Sequence, residues 1–234
     1  MTYESLSDNV AEYTFDLKGG FYGFDLSYEE GEILLVRLRL PKKAADGAQP
    51  LQGFKILLDA GHGGDDPGAE GIGVNSGLSE AELNLAVVLQ LRTQLEKLGA
   101  TVTLTRHDDS TVLLAERTKL FDSVKPDLSL SIHHNAVAET VDAGAVRGIS
   151  GHYTHDAGRQ LAEALAASVA EELMLEKRAD YRMQLAITNR HELPAALLEL
   201  GFVTSPEEYE TMLEADYASR TAAAIAKALV DTLS

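Results

Sequence analysis

Histidine and carboxylate side chains follow several short apolar runs of the sequence. His62 comes just after ILLDAG and is flanked by glycines, the pair His133 and His134 follows DLSLSI, and Glu199 lies in PAALLELGF. Imidazole and carboxylate groups bind metal ions and move protons. The residues therefore predict metal or acid–base chemistry, provided that the fold brings the ends of these runs together.

The donor types point to zinc held by imidazole and carboxylate. The chain contains no cysteine, which excludes thiolate zinc sites and cysteine nucleophiles. Two histidines and one carboxylate with an open fourth position form a common catalytic zinc set. No H-E-x-x-H motif is present, so the ligands must come from separate segments. His62, Glu80 and one of His133 and His134 are the candidates, and the residues alone leave the choice between the two histidines open.

Two glutamates near the start of a predicted helix have different explanations. Ser79 and Glu82 have the spacing of a capping box, which gives Glu82 a structural role. Glu80 at the first helical position gains from the helix dipole, yet it is also able to point at a metal beside the preceding loop. Ser205 and Glu208 have the same spacing and predict a second capping box.

Other kinds of function are disfavoured by composition and by the absence of their motifs. GISGH does not match the G-x-S-x-G pattern of a serine nucleophile. The net charge of −17 argues against nucleic acid or an anionic membrane surface as a partner. No run of apolar residues is long enough to predict membrane insertion.

Apolar runs and helical periodicities alternate through most of the chain. This order predicts an α/β fold with a mostly parallel twisted sheet flanked by helices on both faces. In such sheets functional groups gather at the carboxyl ends of the strands. The predicted strands are 54–59, 100–105, 128–132, 148–154 and 195–200, and the predicted helices are 80–98, 113–124, 157–177, one from 206 and 216–233.

The first residues differ from this pattern. In ILLVRLRL, Val36, Leu38 and Leu40 alternate with arginines, which predicts a half-buried strand. We expect residues 1–45 to form a short β appendage or the tail of an upstream domain. Residues 46–53 have the composition of a linker, and residues 54–234 form the main domain.

Five blocks of the main domain carry a resemblance to a known family. They are ILLDAGHGGDDPGAEG, SEAELNLAVVLQLRTQLEKLGATVTLTR, LLAERTKLF, DLSLSIHHNA and PAALLELGFVTSPEEYETML. In order and spacing they resemble the zinc-dependent N-acetylmuramoyl-L-alanine amidases of the Amidase_3 family, over about residues 54–233. The resemblance implies a Zn²⁺ ion held by His62, Glu80 and His133, with Glu199 as the catalytic carboxylate.

The resemblance also separates the two neighbouring histidines. The family motif S-I-H-x-N places His133 as the ligand, and strand alternation agrees because His133 shares a face with Ser129 and Ser131. His134 departs from the small or apolar residue usual there, and we expect it to be packed or to support a ligand. Asn135 is expected to contact substrate or to support the site. The segment 137–147 is too short for a helix that would plug the site, so we expect an open site.

The resemblance implies hydrolysis of the amide bond between N-acetylmuramic acid and the L-alanine of peptidoglycan stem peptides. Two alternatives stay open: a zinc peptidase that cleaves the stem peptide, and a catalytically silent wall-binding module. Peptidoglycan lies outside the cytoplasm, so an extracytoplasmic location, in the cell envelope or secreted, is expected. The chain as given shows no signal peptide at its start.

Overall fold

A six-stranded sheet forms the centre of the molecule in the computed structural model, which describes residues 1–17, 20–31, 33–71 and 77–234. The strands are β1 (Thr2–Ser7), β2 (Val10–Thr14), β3 (Gly23–Glu29), β4 (Ile33–Arg39), β5 (Lys55–Ala60), β6 (Thr101–Leu104), β7 (Leu128–Asn135), β8 (Ser150–Tyr153), β9 (Tyr181–Arg182) and β10 (Ala195–Phe202). The helices are α1 (Glu80–Lys97), α2 (Leu114–Val124), α3 (Asp156–Leu173), α4 (Pro206–Met212) and α5 (Tyr217–Leu233).

The central sheet has the strand order β6-β5-β7-β10-β8-β9. The strands β6, β5, β7 and β10 run parallel to one another, whereas β8 is antiparallel to β10. On the face covered by α1, α3 and α5 the inner strands are apolar, whereas the opposite face of β7 carries Ser129, Ser131 and His133. The prediction of an α/β fold with a mostly parallel sheet is confirmed. The two-residue strand β9 was not predicted, because it is too short to show a sequence pattern.

Helices cover both faces of the sheet, as predicted. Helices α1, α3 and α5 pack together on one face and share its large apolar core. On the other face a smaller cluster forms where Phe121 of α2 meets Leu57 of β5 and Leu197 of β10. The thinner covering on that second face leaves the carboxyl ends of the strands accessible beside α2.

One of the two predicted capping boxes is present and the other is wrong. At α1, Ser79 Oγ accepts a hydrogen bond from the Glu82 amide, and Glu82 Oε2 accepts one from the Ser79 amide. At α4, Ser205 makes no side-chain cap. Glu208 instead turns inward, where its carboxylate accepts hydrogen bonds from the amides of Gly148 and Phe202 at 2.7 Å each. In the folded protein these two buried amides bind the Glu208 carboxylate, and the local capping hydrogen bond does not form.

The N-terminal residues form two separate hairpins, β1–β2 and β3–β4. The strand predicted over residues 33–40 is present as β4, but its apolar face is not half-buried: Val36 is 37%, Leu38 36% and Leu40 74% exposed. A two-stranded sheet has no second layer of its own, so alternation alone does not bury a face. The β3–β4 hairpin touches the main body where the Phe24 amide donates to the carbonyl of His191 at 2.8 Å.

The connection to the main body is packed against it. Leu51 and Phe54 are almost fully buried in the core, and the Ala44 amide donates to the Leu233 carbonyl at the end of α5. None of the helices in the described residues is both long and apolar enough to cross a membrane.

Candidate functional site

Three neighbouring strands bring the candidate residues to one edge of the sheet. His62 follows β5, His133 lies near the end of β7, and Glu199 lies in β10. These strands are adjacent and parallel, and Glu199 pairs in register with His133. The side chains therefore meet because parallel strands end at the same edge.

Two histidines and one glutamate converge tightly at this edge. Glu80 Oε1 lies 2.9 Å from His133 Nδ1 and 3.2 Å from His62 Nε2. One ligand atom from each of the three residues lies within 4.8 Å of the others, a grouping able to hold a metal ion. Two imidazoles and a carboxylate are a donor set that suits zinc.

The electrostatics of this cluster stabilise positive charge. Burial by itself raises the pKa of Glu80, but hydrogen bonds from His133 and His62 outweigh it and hold the pKa well below its ordinary value. The hydrogen bond to Glu80 raises the pKa of His62 to about 9, against the opposing effect of burial. A metal ion therefore has to compete with a proton at His62, so metal binding should weaken as the pH falls.

The loop after β5 approaches the site so closely that only glycine fits at two positions. A Cβ atom at Gly61 would lie within about 2.3 Å of the His133 ring, and one at Gly68 would lie 2.6 Å from Glu80 Oε2. His62 itself has a φ of +60°, a left-handed conformation that is uncommon for a non-glycine residue. The loop thus carries local strain to aim the His62 ring over the sheet edge.

Buried arginines anchor this strained loop. Arg106 donates to the carbonyls of Ala60 and Gly61 at 3.0 and 2.9 Å. Arg117 donates to the His62 carbonyl at 2.6 Å and forms a buried ion pair with Asp59 at 2.7 Å. The two arginines therefore tie the loop after β5 to neighbouring segments of the chain.

Asp66 orients the imidazole of His62. Its Oδ2 atom accepts a hydrogen bond from His62 Nδ1 at 2.8 Å, so that Nε2, 3.2 Å from Glu80 Oε1, is the ring nitrogen that faces the cluster. A carboxylate behind a histidine is the usual support for a metal-binding imidazole. Sequence reasoning did not identify Asp66, although its position four residues after His62 was a signal.

His134 points away from the cluster, into the apolar side of the sheet. It is 1% exposed, its Nδ1 lies 2.7 Å from Asn84 Oδ1, and its Nε2 lies 2.8 Å from the Tyr217 hydroxyl. Burial lowers the pKa of His134 to about 3, so the ring is neutral. Asn84 in turn donates to the Gly61 carbonyl and approaches Glu80 Oε1 at 3.4 Å. The ring is packed, and it reaches the cluster only through Asn84.

Glu199 has a carboxylate oxygen that finds no partner among the described residues. Its Oε2 atom is buried and makes no hydrogen bond with any described residue. Burial raises the pKa of Glu199 to about 7, while the nearby His133 acts in the opposite direction. A buried charge without a partner is costly, and a pKa near neutrality is what a general base requires.

Two grooves flank His133 at the sheet edge. The first, about 520 Å³ in volume, runs along β8 and β9 and is lined in part by Glu199, Asn135 and His152. The second, about 250 Å³, lies beside the start of α2 and is lined in part by His62 and Leu114. The segment 137–147, between β7 and β8, contains only turns.

The remaining histidines lie outside the cluster. His107 is largely exposed, and the ring of His155 bonds to Asn189 at 2.8 Å. His191 packs against Phe24 of the N-terminal hairpin, with ring centroids 4.9 Å apart. His152 is buried, but it also lines the groove that contains Glu199.

Comparisons with known proteins show which family the chain resembles. The model of the family Amidase_3, described as N-acetylmuramoyl-L-alanine amidase, matches residues 56–231. The chain is 36% identical over 165 residues to the probable cell wall amidase LytH of Staphylococcus aureus, covering 70% of this chain and 53% of that protein. The chain therefore spans about half the length of the curated relatives it matches.

Solved structures of amidases superpose on this chain and support the same fold. The catalytic domain of CwlV, an N-acetylmuramoyl-L-alanine amidase from Bacillus (Paenibacillus) polymyxa var. colistinus, superposes with a TM-score of 0.69 at 28% identity, covering 76% of this chain and 97% of that one. The N-acetylmuramoyl-L-alanine amidase AmiC2 of Nostoc punctiforme superposes with a TM-score of 0.71 at 27% identity, covering 77% of this chain and 97% of that one.

Proposed function

The chain belongs to the Amidase_3 family of N-acetylmuramoyl-L-alanine amidases, and from that premise we propose that it hydrolyses the amide bond between N-acetylmuramic acid and L-alanine in peptidoglycan. The observation that carries the proposal is the convergence of His62, Glu80 and His133 beside the buried Oε2 atom of Glu199, which makes no hydrogen bond with any described residue. We propose an extracytoplasmic location, because that is where the substrate lies.

We propose that His62, Glu80 and His133 hold a zinc ion. Their donor atoms, the support of His62 by Asp66 and the glycine at position 61 are what such a site needs. When bound at a site of this kind, zinc lowers the pKa of a coordinated water and polarises the carbonyl that it contacts.

Glu199 is the proton carrier of the proposed reaction. Its buried carboxylate oxygen accepts a proton from the attacking water and then donates that proton to the nitrogen of the leaving L-alanine. The raised pKa of Glu199 makes both halves of this transfer accessible near neutral pH. Asn135 lines the same groove and is able to donate to or accept from the substrate through its amide.

We propose that residues 54–234 are the catalytic domain, with 46–53 as a connecting segment. Residues 1–45 are then an appendage or the tail of an upstream domain. The two exposed hairpins and their small contact with the main body support this division.

The reaction is tested by identifying the bond that is cut. Zinc-loaded protein is incubated with a purified muramoyl-peptide, and the products are analysed by mass spectrometry. We expect intact stem peptide with a new L-alanine amino terminus and a free lactyl carboxylate on the sugar. Cleavage within the peptide would instead establish the zinc peptidase, and binding to peptidoglycan without cleavage would establish the silent wall-binding module.

The two glutamates at the start of α1 should respond differently to substitution. Glu80→Gln removes the anionic ligand and should weaken zinc binding strongly, with a loss of roughly tenfold to a hundredfold or more in affinity. Glu82→Ala removes the capping box and should cost about 1 kcal/mol of stability with zinc retained. Zinc affinity is measured by chelator competition and stability by denaturant unfolding. Loss of zinc in the Glu82 variant would contradict the assignment.

A further inference from the structure

The larger groove at the sheet edge begins at Glu199 and continues along the strands β8 and β9. Beyond Glu199 its wall is formed in part by His152, Tyr181, Met183 and Arg178. Tyr181 is 39% and Met183 45% exposed, and the Tyr181 ring stacks on His152 with centroids 5.3 Å apart. The groove therefore combines an apolar wall with one cationic side chain, which suits a short peptide that carries both methyl groups and carboxylates.

The proposed role of Glu199 fixes which part of the substrate enters this groove. Glu199 must come within about 3 Å of the leaving nitrogen to protonate it. The peptide that departs with that nitrogen therefore extends from Glu199, along β8 and β9. The muramoyl sugar, on the other side of the scissile bond, is then directed toward the groove beside α2.

Arg178 differs from the basic residues around it. Arg147 pairs with Glu207 at 2.6 Å, and Lys177 pairs with Asp180 at 2.7 Å. Arg178 forms no salt bridge with a carboxylate of any described residue, although the chain has 37 acidic side chains against 20 basic ones.

Arg178 is instead held in place by neutral groups. It is half-buried, its Nη1 donates to the Arg147 carbonyl at 3.1 Å, and its guanidinium lies 5.3 Å from the centroid of the Phe202 ring. A guanidinium has five N–H donors, so most remain available after this single bond. A fixed guanidinium with available donors is well suited to grip a carboxylate through two parallel hydrogen bonds.

We propose that the groove along β8 and β9 binds the stem peptide and that Arg178 recognises a carboxylate of that peptide. The inference rests on the proposed amidase function and adds a substrate preference to it. The chain should favour stem peptides whose carboxylates are free over stem peptides in which they are amidated.

The test compares two substrates that differ in one group. One is a muramoyl-peptide with a free α-carboxylate on its second residue, and the other is the same compound with that carboxylate converted to a carboxamide. Zinc-loaded wild-type protein should show a kcat/KM at least roughly tenfold higher on the carboxylate, the size expected of a charge-assisted hydrogen bond. In Arg178→Gln the two values should become equal, because the larger loss falls on the substrate with the free carboxylate.

Two further variants separate recognition from structural damage. Arg178→Lys keeps the charge and the long aliphatic stem, so it should retain part of the preference, though less because lysine cannot bind with a planar fork. Arg182→Gln is the matched control, since Arg182 lies on β9 but is exposed and near Asp156. It should leave the substrate ratio unchanged.

The possible outcomes test the role of Arg178 and the proposed amidase function separately. A wild-type ratio near one, or a preference that survives in Arg178→Gln, would overturn the role of Arg178 while leaving the amidase function standing. Release of no peptide from either substrate by the wild-type protein would instead overturn the proposed function. If Arg178→Gln fails to fold, the wild-type ratio and the Lys variant still decide the question.

Discussion

Glu199→Ala is expected to keep its zinc and its fold and to lose turnover of peptidoglycan by a factor of roughly 10² or more, the low end of what positioned acid–base catalysis supplies. The reason is that Glu199 lies on β10 next to His133 but is not one of the three clustered donors. On the proposed roles, its loss would remove the proton acceptor without removing a zinc ligand. The measurement combines dye release from labelled peptidoglycan with elemental analysis of the folded variant.

Glu199→Gln provides the matched control, because it preserves the shape of the side chain and removes only its ability to carry a proton. It should be as inactive as the alanine variant. Near wild-type turnover in either variant would exclude the mechanism, and loss of zinc from the alanine variant would make Glu199 a ligand instead.

The same carboxylate should set the acid limb of the pH profile. Burial raises the pKa of Glu199 to about 7 in the metal-free protein. A nearby cation favours the carboxylate and lowers this pKa. Because the base must be ionised, kcat should fall as the pH decreases through a midpoint at or below about 7. The zinc content, measured at each pH, distinguishes protonation of Glu199 from loss of the metal.

His133→Ala is expected to abolish zinc binding, whereas His134→Ala should leave the site near stoichiometric occupancy. His133 places Nδ1 2.9 Å from Glu80 Oε1 inside the cluster. Both ring nitrogens of His134 are already engaged, by Asn84 and by Tyr217, on the opposite face of the strand. Metal content of the folded variants after gel filtration in zinc-free buffer is the measurement.

The cost of the His134 substitution should appear in stability. Removing a buried ring leaves a cavity and two unsatisfied partners, which together cost about 3 kcal/mol. Denaturant unfolding measures this loss, and His134→Gln, which keeps a donor and an acceptor, should recover part of it. Equal loss of metal in the His133 and His134 variants would show that the two roles are wrongly assigned.

Much of the architecture was determined by local sequence patterns. The continuous apolar strands and the periodic helices predicted the α/β sheet, because burial on both faces requires such runs. The capping box at Ser79 was also predictable, since both of its hydrogen bonds join residues three positions apart. Strand alternation placed His134 on the apolar face, where it is found.

Only the tertiary structure decided features that depend on groups distant in the chain. Glu208 does not form its expected helix cap, because in the folded state its carboxylate accepts hydrogen bonds from the amides of Gly148 and Phe202. The exposure of β4 could not be predicted, because alternation shows which residues share a face but not whether another element covers that face. Asn84 as the partner of His134, and Arg178 as a cation without an ion pair to any described residue, follow from packing between separate elements. Sequence patterns report the period and the chemistry of a segment, whereas its partners are set by how the segments pack together.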